Sequence, residues 1–167
     1  MHTRILKLPH GPEILIRPLR HGDTATIETV FERLGETSRR ARFNGAKTKL
    51  GPDELRWLAT VGPDNQVLVA WVDGDSEPVA IARLVRFGDS AEVAFEVADA
   101  YQGRGIGSAL TRQLVDDAVA AGIQEVTALV RSDNSAALAL LRGVLGRLEL
   151  RFEGPDTLVR ASLPGCC

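Results

Sequence analysis

AEVAFEVADAYQGRGIGSALTRQLVDDAVAA, residues Ala91–Ala121, joins a strand pattern, a glycine-rich turn and an amphipathic helix pattern in one run. Gly103, Gly105 and Gly107 fall at alternate positions where the helix begins, so the backbone amides there carry no side-chain shielding. The first turn of a helix holds N–H groups without intrahelical partners, and the summed peptide dipoles add partial positive charge. An anion such as a pyrophosphate suits that place. The helix follows from Ile106, Leu110, Leu114 and Ala118 at every fourth residue, widened by Val115 and Val119 and stopped by Gly122. One glycine alone is explained by a left-handed turn or close helix packing. Three in register after a strand point to a ligand.

Spacing separates three kinds of glycine loop. A triphosphate-binding loop ends in Gly-Lys-Ser/Thr, and Gly107-Ser108 lacks the lysine. A dinucleotide fingerprint needs G-x-G-x-x-G and an acidic residue closing the next strand, roughly 20 positions on. Here the third glycine comes one residue early, and Glu125 opens the Glu125–Arg131 strand instead of closing it. The remaining pattern, Arg/Gln-x-x-Gly-x-Gly/Ala, is met by Gln102-Gly103-Arg104-Gly105-Ile106-Gly107.

On these residues the chain resembles the GNAT superfamily of N-acetyltransferases. The likeness extends over roughly 79–146: an Ala-Glu-Val-x-Phe strand, the glycine loop, the long helix, the strand VTALVR and an Asp133-Asn134 helix start. Such an ordered set is more specific than a lone loop. The resemblance implies that Gln102, Gly103, Arg104, Gly105, Ile106, Gly107 and Ser108 hold the pyrophosphate of coenzyme A. It also implies that the two strands flanking the helix splay apart, that the pantetheine arm lies between them, and that Val97 and Ala98 offer it backbone hydrogen bonds. Asn134 would bind the cofactor arm, although Ser132-Asp133-Asn134-Ser135 is equally a helix cap, and the two roles are compatible. Arg104 and Arg112 are candidates for the 3′-phosphate.

Acetyl transfer to an amine needs a base, because an ammonium with a pKa of about 10.4 leaves fewer than about one in a thousand molecules as free base at neutral pH. Strand alternation in Ala91–Ala98 puts Glu92, Ala94, Glu96 and Ala98 on one face and Val93, Phe95 and Val97 on the other. Two carboxylates with only alanine between them suit a cleft for a cation. Glu92 takes the place of the family's general-base glutamate, with Glu96 second or binding the acceptor's charge. The competing reading has both face water, or pair with Arg83 or Arg131 across the sheet. The family often carries a tyrosine seven residues after the asparagine, which protonates the departing thiolate. That position is Leu141 here, and a thiol, whose pKa lies about 8.5 by analogy with cysteine, can leave without such an acid. With no buried Cys or Ser–His pair apparent, direct attack is expected.

The rest of the chain reads outward from this centre. Arg4–Leu8 and Glu13–Pro18 form an opening hairpin around Pro9–Pro12. Helices follow: one capped by Asp23, one from Thr37 or Ser38, and one from Pro52 through Val61. Gln66–Val72, Val79–Phe87 and Ala91–Ala98 make an antiparallel meander. Glu125–Arg131 should lie parallel after the long helix, followed by a helix over 135–145 and strands Glu149–Glu153 and Thr157–Ser162. The sum is an α/β fold: a mixed sheet of about seven strands, helices on both faces, and a central parallel pair around the pyrophosphate helix. Residues 1–167 are expected to form one GNAT-like domain.

At 167 residues with 44% hydrophobic and 25% charged side chains, disorder and collagen-like structure are excluded. A net charge of −2 gives no overall case for nucleic acid or a membrane surface. No run approaches the roughly 18 apolar residues of a membrane span, and Met1-His2-Thr3-Arg4 lacks a signal core, so a cytoplasmic location is expected. His2, His10 and His21 form no ligand-like cluster, and no metal is expected. Cys166 and Cys167 are adjacent and suit neither a staple nor a metal site. Trp57 and Trp71 read as scaffold. Residues 31–49 would shape the acceptor pocket. Within them Thr37–Phe43, together with Ile16–Asp23, is similar to the catalytic domain of bacterial protein-lysine acetyltransferases. Expected partners are therefore acetyl-CoA and an amine, either a protein lysine or a small molecule. A homodimer stays open, as does a coenzyme A-binding sensor or scaffold without turnover.

Overall fold

The computed structural model describes residues 2–43 and 45–164; Met1, Asn44 and residues 165–167, with Cys166 and Cys167 among them, lie outside the described residues. In chain order the elements are β1 (Arg4–Lys7), β2 (Glu13–Pro18), α1 (Thr24–Glu32), α2 (Glu36–Phe43), α3 (Pro52–Leu58), β3 (Asn65–Val72) and β4 (Ala80–Phe87). They continue with β5 (Ser90–Val97), α4 (Ile106–Ala120), β6 (Glu125–Arg131), α5 (Ser135–Leu145), β7 (Glu149–Glu153) and β8 (Asp156–Ser162). The strands make one sheet of eight, not about seven, in the order β1-β2-β3-β4-β5-β6-β8-β7. Both hairpins, at the start and at the close, pair fully, so each of the eight strand segments read from the sequence joins the one sheet. Every neighbour is antiparallel except β5 and β6, the pair joined through α4.

β3 and β4 are buried on both faces, which is why their sequences run apolar without clean alternation. Val67, Val69 and Ile81 face one core with Ile27, Val30 and Phe31 of α1 and Leu58 of α3. Leu68, Ala70, Ala82 and Leu84 face the other, with Ile106, Leu110, Leu114 and Ala118 of α4 and Leu141 of α5. The two periodicities therefore close two layers around one sheet.

Element ends have local causes. Asp23 Oδ1 accepts from Thr26 N at 3.1 Å and starts α1 as a cap. α3 stops at Leu58, three residues before Val61, because the segment after β2 takes over its last polar groups. Gly22 N donates to Ala59 O at 2.8 Å, and Val61 N donates to His21 Nδ1 at 3.1 Å. β5 ends at Val97, since Ala98 turns into a short 3-10 turn over Asp99–Tyr101. Trp71 lies under the Arg17 guanidinium at 4.0 Å, and exposed Trp57 lies 5.6 Å from that of Arg83, so both are rim aromatics.

Leu141, fully buried between α4 and the sheet, is the side chain through which α5 docks. Leu141→Ala should cost about 2–5 kcal/mol in a urea unfolding titration, with an unchanged slope.

Candidate functional site

β5 and β6 pair only at Ser90–Glu125, Ala91–Val126 and Glu92–Thr127. Beyond that point they separate, and a cleft of about 1070 Å³ opens between them, floored by Val93–Val97 and walled by residues 128–131 and α5. Ala98 N donates to Val79 O at 2.7 Å, on the β4 side. Strand alternation therefore turns the backbone groups of Val97 the other way, into the gap. Ala98, by contrast, has both backbone groups engaged, its carbonyl taking Tyr101 N at 2.8 Å. Of the two expected backbone partners for a pantetheine arm, Val97 has the free amide and Ala98 does not.

At the far end of the cleft the glycine loop leads into α4. Gly103 and Gly105 have φ of 73° and 84°, the left-handed region that side chains resist. Gly107 has a different reason: a Cβ there would come within 2.9 Å of Leu140 Cδ1 and 3.3 Å of Val97 Cγ2. α4 starts with no side-chain cap, so its first amides have neither an intrahelical partner nor a cap. The Ile106 side chain is core, leaving only its backbone to the loop, while Ser108 lines the cleft. These features fit a diphosphate group bound through backbone N–H.

Side chains near the loop are partly committed. Gln102 Nε2 folds back to Val97 O and Ser38 Oγ, both at 3.0 Å, and so ties the loop to β5 and α2. Arg104 lies 5.1 Å from the Tyr101 ring and does not line the cleft. Arg112 turns to Gly143 O at 3.2 Å, joining α4 to α5. Tyr101 donates its hydroxyl to Asp75 Oδ2 at 2.6 Å, and Arg33 meets the same oxygen at 2.5 Å. Arg33 first, then Tyr101, holds the Asp75 carboxyl well below the usual range, and the bond to Asp75 raises the Tyr101 phenol. This cluster clamps the 3-10 turn before the loop onto the β3–β4 hairpin.

The two glutamates separate in environment. Glu92 stands at the last paired position, where the strands begin to diverge, and is exposed along the cleft. Among the described residues it takes part in no ion pair. Glu96 is only 7% exposed, and its partner is Arg42 of α2, with Nε 2.9 Å from Oε2. The N–H is not aimed along that line, so the contact is coulombic. Buried Arg83 is pulled down to about 10 by burial and by Arg42, while Glu96 opposes the shift. It bonds Leu58 O and Asn65 Oδ1. The pairing expected with Arg83 or Arg131 is thus replaced by Arg42, from the arginine-rich run 39–42. Arg131 instead pairs with Asp133 at 3.2 Å.

Asn134 caps α5, its Oδ1 accepting from Ala137 N at 3.0 Å, and also lines the cleft. The position seven residues on, Leu141, points into the core and cannot present a group to the cleft; Leu140 lines it instead. Among the described residues no helix is long and apolar enough to cross a membrane, and no three His, Cys, Asp or Glu side chains cluster as metal ligands.

Comparison with known proteins agrees with this geometry. The family described as Acetyltransferase (GNAT) family matches residues 31–146. Acetyltransferase Pat of Mycolicibacterium smegmatis is 37% identical over 143 residues, 83% of this chain and 41% of that protein. Acetyltransferase PA5475 of Pseudomonas aeruginosa is 32% identical over 136 residues, 77% of this chain and 72% of that protein. This chain therefore spans less than half the length of the mycobacterial relative. The crystal structure of the GNAT domain of S. lividans PAT superposes with a TM-score of 0.86 at 26% identity, covering 96% of this chain and 97% of that one.

Two measurements check the local account. Because the folded Asp75 carboxyl titrates below its ordinary value of 3.8, its stabilising contribution is complete above that value and is lost as pH falls below it. Asp75→Asn should therefore flatten the acid limb of a melting-temperature profile below about pH 4. Gly107→Val should weaken binding of a diphosphate ligand at least tenfold in calorimetry, because the new side chain displaces Leu140 and Val97 from the loop.

Proposed function

The chain belongs to the GNAT acetyltransferase family, and on that premise we propose that it transfers an acetyl group from acetyl-CoA to a primary amine by direct attack. The observation that carries the reading is the cleft between β5 and β6, which runs from the uncapped start of α4 to Glu92. The backbone of Gly103–Ser108 would hold the pyrophosphate, the Val97 amide would meet the pantetheine arm, and Asn134 would border it. When bound, acetyl-CoA supplies the thioester.

Glu92 has the open position for the base. It takes a proton from the acceptor ammonium, directly or through a water. The amine nitrogen then forms the C–N bond as the C–S bond breaks, the sulfur leaves as thiolate, and the second proton, shed by the new amide nitrogen, passes to that thiolate or to water. Glu96, buried between Arg42 and Arg83, is spent as their counter-charge, which leaves Glu92 as the carboxylate open to the acceptor end of the cleft. Arg40 and Glu36 on α2 border the same end, so a protein lysine and a small amine both fit its mixed charge.

The reading of a coenzyme A-binding module without turnover draws on one observation. No phenol is free to protonate a thiolate, since the Tyr101 hydroxyl is engaged by Asp75 and Leu141 is core. Glu92→Gln distinguishes the two. The catalytic reading expects a rate loss of about 10²–10⁴-fold with acetyl-CoA affinity intact. Tight acetyl-CoA binding with no product from a broad panel of amines and lysine peptides would establish the binding module instead.

A further inference from the structure

β7 is the last strand of the sheet, and all five of its residues are exposed. Among the described residues its outer edge has no neighbouring strand, so its backbone N–H and C=O groups are a template for a further strand. Leu150 stands opposite Val159 and Phe152 opposite Thr157, both fully buried. The core face of the sheet thus continues onto β7, yet Phe152 is 72% exposed there. On the other face Glu149, Arg151 and Glu153 alternate in sign.

That alternation selects a partner. A second copy added antiparallel, about a two-fold axis normal to the sheet, keeps matching faces together. With the axis at Arg151, Glu149 would face Glu153 twice and Arg151 would face itself, like charges directly opposite. With the axis at Phe152, pairing would run into the Gly154-Pro155 turn. With the axis at Leu150, Glu149 faces Arg151 of the second copy and Arg151 faces its Glu149. Leu150 then meets Leu150, and Phe152 meets Leu148. Arg160 already stands opposite Glu149 on β8, so charge alternates across three strands. The Arg151–Glu153 contact within β7 is exposed and screened, leaving Arg151 free to turn. The other edge, β1, reads Arg4-Ile5-Leu6-Lys7 and is cationic at both ends, with no such match.

We propose that this chain forms a two-fold dimer by pairing β7 with β7 of a second copy, centred on Leu150, which joins two sheets into one. Phe152 and Leu148 bury each other across the axis, and two Glu149–Arg151 pairs set the register.

Sedimentation velocity of the whole chain, from micromolar to several hundred micromolar, should show the 18.0 kDa species passing into one of twice that mass. Arg151→Glu and Glu149→Arg each place like charges opposite one another and should each weaken association at least tenfold. An equimolar mixture of these two variants restores both opposite-charge pairs and should recover the dimer. Both substitutions lie on exposed side chains, and unchanged melting curves confirm that the fold is kept. A chain that stays monomeric throughout, a dimer indifferent to Arg151→Glu, or a mixture that stays monomeric would overturn the proposal.

Discussion

Two parallel strands that stop hydrogen-bonding after three residue pairs govern this protein's chemistry. Parallel neighbours would ordinarily continue their ladder, and the backbone groups left unpaired in the gap need other partners. The separation is maintained from one end by α4, whose Gly107 lies so close to Val97 and Leu140 that a side chain there would have to displace them. It is maintained from the other side by α5, anchored through buried Leu141 and capped by Asn134. The absence of side chains at the loop and the divergence of the strands are therefore one arrangement. Close approach of α4 brings its uncapped amides to the mouth of the gap that it holds open.

Electrostatics divide the two faces of β5. Its apolar side chains join the core under α4, while Glu92 and Glu96 face the α2 side. Burying Glu96 strips it of water, and a nearby arginine offsets that cost only in part because the pair is poorly aligned. Arg42 and Arg83 together make the surroundings of Glu96 cationic, whereas Glu92, four residues earlier, stays in the open cleft. Two identical side chains on one strand face thus acquire different surroundings, one buried as a fixed counter-charge and one exposed in the cleft with no ion-pair partner among the described residues.

Much of this was legible in the sequence. The strand, loop and helix of Ala91–Ala121 fall within a residue or so of where alternation and the four-residue repeat put them, because local period and tertiary burial agree there. The glycines were readable as a group, but their separate causes were not: positive φ at Gly103 and Gly105 depends on the turn, and the tight contact at Gly107 depends on α5. Long-range partners were hidden for the same reason. Nothing in the order of residues says that Arg42 would reach Glu96 before Arg83 does, that Asp75 would engage the Tyr101 hydroxyl, or that Leu141 would face the core. The early end of α3 likewise follows from a distant pair, His21 and Gly22, that captures the polar groups just past it.

We propose that the loop and the divided strands form a site for coenzyme A rather than for a dinucleotide. Calorimetric titration of the whole chain with acetyl-CoA, alongside a titration with NADH, should give saturable one-to-one binding of acetyl-CoA and no heat of binding from NADH. Binding of NADH alone, or of neither ligand, would contradict it and leave the glycine loop as a dinucleotide site or a structural turn.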